Sequence, residues 1–539
     1  MIDQAAFRTS FLIVLSFSLC LVSSRLSAGS GGGHLGYLVP KSAKETSGSP
    51  WGIQAGTLKP QHLSTAAAIG VKWTRLTASW REVEVERGRY DWGRMDEAIG
   101  ASLDNGITPL VCLAVSNRLY CRDSVFNDER EREIYGTNPL PPTRDPGALE
   151  AWLRYVREAV ARYRGRVRHW EVWNEPNHWA YWGAPPDGAE YGLLLRKSAE
   201  VIKRADPAAL VFGGATAGLD PEFTDAFLRG GAAAMIDGVT FHNYAPLPEE
   251  RIGKAWQVRE VLDRHNPALA FWQGECGYPS HSSTRDYRGV SPWGVGIQAK
   301  WLLRQALVDV YFCRVQVSIY FKLVHEGGRG KMPSRSSLTA LDSVLGFPER
   351  GGSRVKSVGV NEKCILENPG LAPKPAYYAY RNLCAVFDGR YAPAKVRHTV
   401  SVLDPGVFYG VGPEDDAFPS TPLVTAFAAK SGARLVAWWV PWQPQELVRP
   451  ARIDLKLEGV RFDEPVYVDL LTGAVRAADV QPDGAGGSVV RGAPMLDYPM
   501  VLAERREVGR LREGTEAAVE AGAATDGVVA APLPAKGSR

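Results

Sequence analysis

Two glutamates in this 539-residue chain each end an apolar run, at a position where a carboxyl group can take part in catalysis. Glu175 follows the aromatic run 169–173 and precedes Pro176, which has no backbone N–H and therefore ends a strand. Glu275 ends a second apolar run, 268–275. A pair of carboxyl groups can hydrolyse a glycosidic bond, because one protonates the leaving oxygen while the other acts at the anomeric carbon.

The residues around Glu175 suit a sugar ring. Asn174 precedes it, and Trp179, Tyr181 and Trp182 follow within one loop. Aromatic faces beside a few polar groups are typical of ligand sites, and the C–H faces of a sugar stack on them. We therefore predict Asn174, Trp179 and Trp182 as substrate-binding residues. The alternative interpretation of each glutamate is a solvated residue at a turn.

A histidine and a tyrosine two residues apart form a third candidate element. His242 and Tyr244 lie in the strand-like run 238–244, and their spacing directs them to the same side. A phenol beside Glu275 can hold that carboxylate ionised by donating a hydrogen bond. The alternative is a core histidine and a tyrosine that packs under a loop.

Arg75 lies next to the end of the apolar run 71–76, and Trp80 follows in the next loop. A buried arginine near a carboxylate lowers the pKa of that carboxylate, which fits a nucleophile that must stay charged. We predict both residues at the substrate site. A structural salt bridge is the alternative role for Arg75.

Eight strand-like runs alternate with helix-like stretches and must position these residues. One such stretch, 147–164, carries apolar residues three and four apart, the pattern of an amphipathic helix. Eight βα units predict an α/β fold, a (β/α)8 TIM barrel, in which the chemistry lies at the C-terminal ends of the strands. The predicted strands are 51–55, 71–76, 107–114, 167–175, 209–214, 238–244, 268–275 and 315–323.

Composition divides the rest of the chain. The apolar run 11–22 is too short to span a bilayer comfortably, and small residues at 26–28 offer a cleavage site, so a secretory signal and a secreted or periplasmic location are predicted, with an uncleaved anchor as the alternative. Short β-rich runs after 388 predict an all-β sandwich domain, and the loss of aromatics near the C-terminus predicts disorder. The predicted divisions are 1–28 signal peptide, 29–50 linker, 51–388 catalytic barrel, 389–505 β-sandwich and 506–539 disordered tail.

Charge and motif content exclude several classes of protein. The chain has 63 basic and 59 acidic residues and no basic stripe, so nucleic acid is not an expected partner, and no membrane contact is expected after signal cleavage. No Cys-x-x-Cys or His-x-x-x-His spacing occurs, so neither a metal nor another cofactor is expected. The expected partner is a carbohydrate substrate, and the oligomeric state is not readable.

Two further expectations concern loops. Cys112 ends a predicted strand and Cys121 lies in the loop after it, which makes a short disulfide feasible in an exported chain. The connections 116–146 and 325–373 are too long for simple turns and predict a closed pocket with exo action.

Taken together, these motifs resemble clan A retaining glycoside hydrolases. Trp-Asn-Glu-Pro-Asn at 173–177, followed by Tyr-Trp at 181–182, is most similar to family 39, which includes β-xylosidases and α-iduronidases. Lys-Pro-Ala-Tyr-Tyr-Ala at 374–379 and the β domain also fit this relationship. The resemblance implies Glu175 as acid/base, Glu275 as nucleophile and Asn174 binding the sugar 2-hydroxyl.

The sequence departs from that family in two places. Ile-Tyr-Phe-Lys at 319–322 stands where many clan members place a tryptophan platform, and we include Tyr320 there among the predicted substrate-binding residues. The Gln-Gly-Glu-Cys-Gly context of Glu275 also differs from that of family 39. Family 5-like enzymes, a non-catalytic carbohydrate-binding barrel and a transglycosylase with the same intermediate therefore stay open as alternatives.

Overall fold

The structure of the chain, a computed structural model, describes residues 33–56, 59–124, 138–244, 247–280, 294–324, 363–367, 371–408, 421–445 and 448–514. It begins with a short strand, β1 (His34–Leu38), and continues into a closed barrel followed by antiparallel sheets. No helix in these ranges is both long enough and apolar enough to cross a membrane.

Eight parallel strands close the barrel, one for each predicted run, which confirms the predicted fold class. Apolar side chains fill the strands because both faces of a parallel sheet are covered. A small antiparallel hairpin, β4 (Glu84–Glu86) with β5 (Arg89–Tyr90), lies between the second and third barrel strands in the chain. The barrel strands are β2 (Trp51–Ile53), β3 (Trp73–Ser79), β6 (Thr108–Ala114), β7 (His169–Val172), β8 (Leu210–Ala217), β9 (Gly238–His242), β10 (Ala270–Cys276) and β11 (Ser318–Tyr320).

Amphipathic helices surround the barrel. In α4 (Pro146–Tyr163), the Asp145 side chain accepts a hydrogen bond from the backbone of Ala148 at 3.0 Å, and Trp152 and Val156 are buried against the strands. The other helices are α1 (Pro60–Ile69), α2 (Trp80–Val83), α3 (Gly93–Asp104), α5 (Trp179–Trp182), α6 (Gly188–Ala205), α7 (Pro221–Arg229), α8 (Arg251–His265), α9 (Val295–Leu307) and α10 (Pro375–Val386).

The C-terminal region is antiparallel, as predicted. An eight-stranded sheet has the order β12-β15-β16-β23-β19-β20-β1-β24, a four-stranded sheet the order β13-β18-β22-β21, and β14 pairs with β17. These strands are β12 (Tyr391–Ala394), β13 (His398–Asp404), β14 (Val407–Phe408), β15 (Leu423–Ala429), β16 (Arg434–Trp439), β17 (Val448–Arg449), β18 (Ala451–Leu457), β19 (Pro465–Asp469), β20 (Ala474–Ala477), β21 (Val480–Pro482), β22 (Ser488–Met495), β23 (Met500–Glu504) and β24 (Leu511–Arg512).

The two ends of the chain correct the predicted linker and tail. Within the predicted linker 29–50, β1 pairs with β20 and β24 and buries Tyr37 and Leu38, so residues 34–38 are part of the β domain. Within 506–539, β24 is likewise folded because β1 provides its partner. Both strands are short, and their pairing partners lie far away in the sequence. The predicted signal, 1–28, and residues 515–539 of the predicted tail lie outside the described residues.

Buried ion pairs join the barrel to the β domain. Arg304 on α9 binds Glu249 with an Nη2–Oε2 distance of 2.8 Å, and the indole of Trp439 on β16 donates to Oε1 of the same carboxylate at 2.8 Å. Lys300, one turn earlier, pairs with Asp497 at 3.0 Å. The two regions therefore share a specific polar interface.

The predicted disulfide is wrong. Cys112 and Cys121 are both free and buried. Instead of meeting Cys121, the Cys112 sulfur receives a hydrogen bond from Arg75 at 3.2 Å and donates to the carbonyl of Trp173 at 3.1 Å.

Candidate active site

The backbone at the end of β7 turns Glu175 into the barrel mouth. Trp173 and Glu175 have φ angles of 74° and 48°, in the left-handed region that side chains other than glycine rarely adopt. Hydrogen bonds from the Trp173 amide to Leu113 (2.8 Å) and from the Glu175 amide to Ala215 (2.9 Å) hold this conformation. Such strain costs on the order of 1–3 kcal/mol per residue and often accompanies functional sites.

Glu175 is paired with His242. Its Oε1 lies 3.0 Å from Nδ1 of His242, which is buried at the end of β9. The carboxyl group itself is partly exposed to the cleft. The histidine therefore orients this carboxyl group while leaving it accessible to a ligand.

Three side chains from other parts of the barrel hold Glu275: Tyr244 and Gln54 lie just after strands, and Arg75 lies within β3. Tyr244 donates its hydroxyl to Oε1, and Gln54 donates to Oε2 at 3.0 Å. Arg75 forms an ion pair with Oε2 at 3.4 Å. The carboxylate is thus surrounded by donors from β3 and from the residues that follow β2 and β9.

These partners decide the charge of Glu275. Burial alone raises the pKa of this carboxyl, but the charges of His242 and Arg75 and the hydrogen bonds from Tyr244 and Gln54 outweigh burial, so that the pKa lies below its ordinary value. Burial and the neighbouring negative charge of Glu275 raise the pKa of Tyr244 well above its ordinary value. The carboxyl is therefore ionised and the phenol remains a donor.

Arg75 also binds a second carboxylate deeper in the barrel. Its Nε donates to Oε2 of Glu171 at 2.6 Å, and its Nη2 donates to Oδ1 of Asn174 at 2.8 Å. The other oxygen of Glu171 accepts from Thr240 at 2.6 Å. Burial would lower the pKa of Arg75, but its interactions with Cys112, Glu171 and Glu275 raise it. Arg75 thus forms a buried structural salt bridge with Glu171 and also contacts Glu275, while its role in substrate binding stays a prediction.

The two candidate catalytic carboxyl groups are close neighbours. An oxygen of Glu175, a ring nitrogen of His242 and an oxygen of Glu275 all lie within 4.8 Å of one another. Retaining glycosidases hold their carboxyl groups about 5–5.5 Å apart, and inverting enzymes about 6.5–9.5 Å apart. The geometry therefore fits the retaining arrangement.

Three predicted substrate-binding aromatics lie in the core instead. Trp80 is fully buried and donates to Glu84 at 2.6 Å, and Trp182 is fully buried against Trp173. Tyr320 is buried against Tyr380 of α10, with ring centroids 6.3 Å apart, and donates to the carbonyl of Tyr278 at 3.3 Å. An aromatic side chain near a strand end can pack in the core or bind a ligand, and its spacing in the sequence does not show which.

Trp179 remains partly exposed and stacks on His178 with ring centroids 5.9 Å apart. It is therefore not one of the core aromatics. Much of the two long connections, including 125–137 and 325–362, lies outside the described residues, so the predicted closed pocket and exo action stay predictions.

Sequence reasoning missed four residues at or near the site. Gln54 directly follows β2, and this position at the C-terminal end of a barrel strand could have identified it as a candidate site residue. Glu171 lies inside the run 169–173, whose apolar character concealed a buried carboxylate. Lys322 follows β11, and Lys363 places its Nζ 4.2 Å from the ring centroid of Tyr244; no local pattern in the sequence placed either lysine near Glu275.

Comparison with protein families agrees with this geometry. Residues 68–251 match the model of Glycosyl hydrolases family 39, a segment that contains Arg75, Glu175 and His242 and ends before Glu275. The match confirms the predicted resemblance and the predicted class of enzyme, a glycosidase. No curated protein matches the chain.

Solved structures share the architecture at low sequence identity. A family 39 glycoside hydrolase from Bacteroides cellulosilyticus WH2 superposes with a TM-score of 0.58 at 17% identity, covering 85% of this chain and 81% of the other. A monomeric beta-xylosidase from Caulobacter crescentus CB15 gives 0.50 at 20%, covering 85% and 98%. A family 30 subfamily 8 xylanase from Clostridium acetobutylicum gives 0.54 at 10%, covering 87% and 97%. These likenesses support the fold.

Proposed function

We propose that this chain is a retaining glycoside hydrolase that cleaves O-glycosidic bonds of an oligo- or polysaccharide by double displacement. One observation carries the proposal: oxygens of Glu175 and Glu275 lie within 4.8 Å of each other in different environments. Glu275 is kept ionised by Tyr244, Gln54 and Arg75, whereas Glu175 contacts a single histidine, His242.

In the first step, ionised Glu275 attacks the anomeric carbon while Glu175 transfers its proton to the leaving oxygen. The glycosidic C–O bond breaks, and an ester forms between the sugar and Glu275. In the second step, Glu175 accepts a proton from water, the water oxygen bonds to the anomeric carbon, and Glu275 leaves as a carboxylate. Inversion at each step gives a product with the original anomeric configuration.

The surrounding residues prepare these steps. Tyr244 and Gln54 hold the Glu275 carboxylate in one orientation, which lowers the cost of reaching the attacking geometry. Arg75 binds Oδ1 of Asn174 at 2.8 Å, so the amide NH2 of Asn174 is the group directed toward the sugar 2-hydroxyl. His242, by its contact with Glu175, positions the acid for proton transfer.

Covalent trapping tests the proposal. A 2-deoxy-2-fluoro glycoside with a dinitrophenolate leaving group slows both steps but keeps the first faster, so the ester should accumulate. After pepsin digestion, mass spectrometry should find the sugar on the peptide that contains Glu275. A label on another carboxylate, or a product of inverted configuration by NMR, contradicts the proposal. The ratio of transfer product to free sugar separates hydrolysis from transglycosylation.

We also propose that residues 1–28 direct export of the protein. The apolar run 11–22 followed by the small residues at 26–28 supports this, because secretory signals consist of a short apolar segment and a small-residue cleavage site. The mature N-terminus, determined by mass spectrometry on protein from the periplasm or medium, should begin at Gly29. Full-length chain retained inside the cell contradicts export.

The small net charge of +4 supports a sugar rather than nucleic acid as the partner.

A further inference from the structure

The strand that carries Glu275 is irregular immediately before this residue. β10 pairs with β9 first through Gln273 and Phe241 and then through Glu275 and His242, so Gly274 is an extra residue in β10. The pairing of β10 with β11 is irregular across the same point. Such a β-bulge disrupts the ladder locally and often re-aims a side chain next to an active site. The regular ladder therefore does not by itself fix the backbone at Glu275.

The side chain of Gln273 bridges the bulge. With its amide nitrogen turned toward two backbone carbonyls, it donates to that of Phe241 at 2.6 Å and to that of Glu275 at 2.8 Å. Its oxygen then accepts a hydrogen bond from Nη1 of Arg251 at 3.2 Å. This is the orientation that the surrounding hydrogen-bonding groups select. Gln273 thus joins the backbone of Glu275 to β9 and to Arg251.

Arg251, the first residue of α8, also reaches the segment after Glu275. Its Nη2 donates to the hydroxyl of Tyr278 at 3.0 Å and to the sulfur of Cys276 at 3.4 Å. The planar guanidinium presents its donors in a fixed geometry, so it holds these acceptors in fixed relative positions. One side chain thus contacts β10 before the nucleophile, through Gln273, and the chain after it.

A buried carboxylate holds Arg251 in place. Oδ1 of Asp309 accepts a hydrogen bond from Nη1 of Arg251 at 3.0 Å, and its Oδ2 accepts from the hydroxyl of Ser318, at the start of β11, at 2.7 Å. Both members of the ion pair are completely buried. Buried charges are stable only when they are paired in this way. The pair therefore fixes the guanidinium against β10.

This network acts on a different part of the nucleophile than the contacts of the active site. Tyr244, Gln54 and Arg75 bind the carboxylate oxygens of Glu275. The network of Arg251 acts on the backbone that carries the side chain. A misplacement of about 1 Å at a reacting group can cost about 10²-fold in rate, so the backbone must be held as well as the carboxylate.

We infer that Arg251 is a positioning residue for Glu275. Through the side chains of Gln273, Cys276 and Tyr278, it holds the chain on both sides of the nucleophile in the geometry that attack on the anomeric carbon requires. Arg251 acts through the strand, because its completely buried side chain is not accessible to a sugar. The inference rests on the proposed function, which supplies the nucleophile that Arg251 positions.

The rate of ester formation on Glu275 tests the inference. The probes are 2,4-dinitrophenyl 2-deoxy-2-fluoroglycosides in both anomers and in the xylo, gluco and galacto configurations, and the one that labels the wild-type protein fastest is used for the variants. Arg251→Met should lower the labelling rate constant at saturating probe by about 100-fold, because the attacking oxygen is displaced. The probe concentration that gives half of the maximal rate should stay unchanged, because no group that binds the sugar is altered. Mass spectrometry follows the label.

Two further variants separate positioning from stability. Arg251→Met leaves Asp309 as an unpaired buried group, whereas the double variant Arg251→Met with Asp309→Asn removes both charges and should recover much of the lost thermal stability. Labelling of the double variant should stay slow, because the contacts to β10 are still missing. Gln273→Met keeps the ion pair and breaks only the bridge to Glu275, and it should also slow labelling at saturating probe. These two variants carry the test if Arg251→Met does not fold.

Lys300→Met is the matched control, because it breaks a buried ion pair with Asp497 at the interface with the β domain. It should lower the melting temperature and label at the wild-type rate. Folded Arg251 variants that label at the wild-type rate overturn the inference and leave the proposed function standing. An equal loss of rate in Lys300→Met, or a double variant that recovers both stability and labelling, also overturns it. If no probe labels Glu275 of the wild-type protein, the proposed function fails, and this inference fails with it.

Discussion

The hydroxyl of Tyr244, just beyond the end of β9, donates a hydrogen bond to Oε1 of Glu275 on β10. This contact joins two neighbouring strand ends and gives the carboxylate one donor that remains protonated, because burial and the charge of Glu275 raise the pKa of Tyr244. With Gln54 on Oε2, it gives each oxygen of Glu275 a neutral donor.

Replacing Tyr244 by phenylalanine should shift the pH dependence of the reaction. The pKa of Glu275 lies below its ordinary value partly because of this donor, so the nucleophile stays ionised down to low pH. Loss of the donor raises that pKa, and the acid limb of kcat/KM should move to higher pH. Tyr391→Phe is the control, since Tyr391 donates to Glu507 in the β domain. An acid limb that does not move in Tyr244→Phe would show that the hydroxyl does not tune Glu275.

Replacing Arg75 by alanine should destabilise the barrel as well as inactivate the site. The change leaves the fully buried Glu171 without its guanidinium partner, and breaking one side of a buried ion pair typically costs about 3–5 kcal/mol. Arg162→Ala removes an exposed pair with Asp96, which should cost about 1 kcal/mol or less. Urea unfolding of both variants measures the difference, and equal losses would contradict a buried structural role for Arg75.

The roles of the two carboxyl groups predict opposite responses to azide. Glu275→Gly should abolish activity on every substrate, whereas Glu175→Ala should lose on the order of 10²- to 10⁴-fold with poor leaving groups and far less with activated phenols. With azide, Glu175→Ala should yield a glycosyl azide of retained configuration and Glu275→Gly the inverted anomer. NMR determines the anomeric configuration of each glycosyl azide. The reverse pattern would mean that Glu175 is the nucleophile and Glu275 the acid/base.

Trp80 and Trp179 should respond differently to substitution. Trp80→Ala creates a cavity in the core and should lower the free energy of unfolding by about 3–5 kcal/mol. Trp179→Ala removes a partly exposed ring at the mouth and should mainly raise KM, with a small effect on stability. Urea unfolding combined with steady-state kinetics separates the two effects. A large rise in KM for Trp80→Ala in a stably folded protein would restore its predicted role in binding.

Local patterns in the sequence determined the elements of this protein. Eight apolar runs, separated by helix-like stretches, predicted the barrel because strand and helix periodicity is read from neighbouring residues. Pro176 after Glu175 and the spacing of His242 and Tyr244 likewise predicted residues at strand ends. Barrel closure then brings those ends to one face, so these candidates could be named in advance.

Only the tertiary structure decided which side chains meet. Gln54 and Glu275 are 221 residues apart, and no local pattern links them, although they share a hydrogen bond. Trp80 and Tyr320 look like site aromatics in sequence, yet packing against neighbouring helices buries both. Contacts of this kind form only when the barrel closes and the helices pack around it. They join side chains that are far apart in the sequence, so the residues next to each of them do not predict the contact.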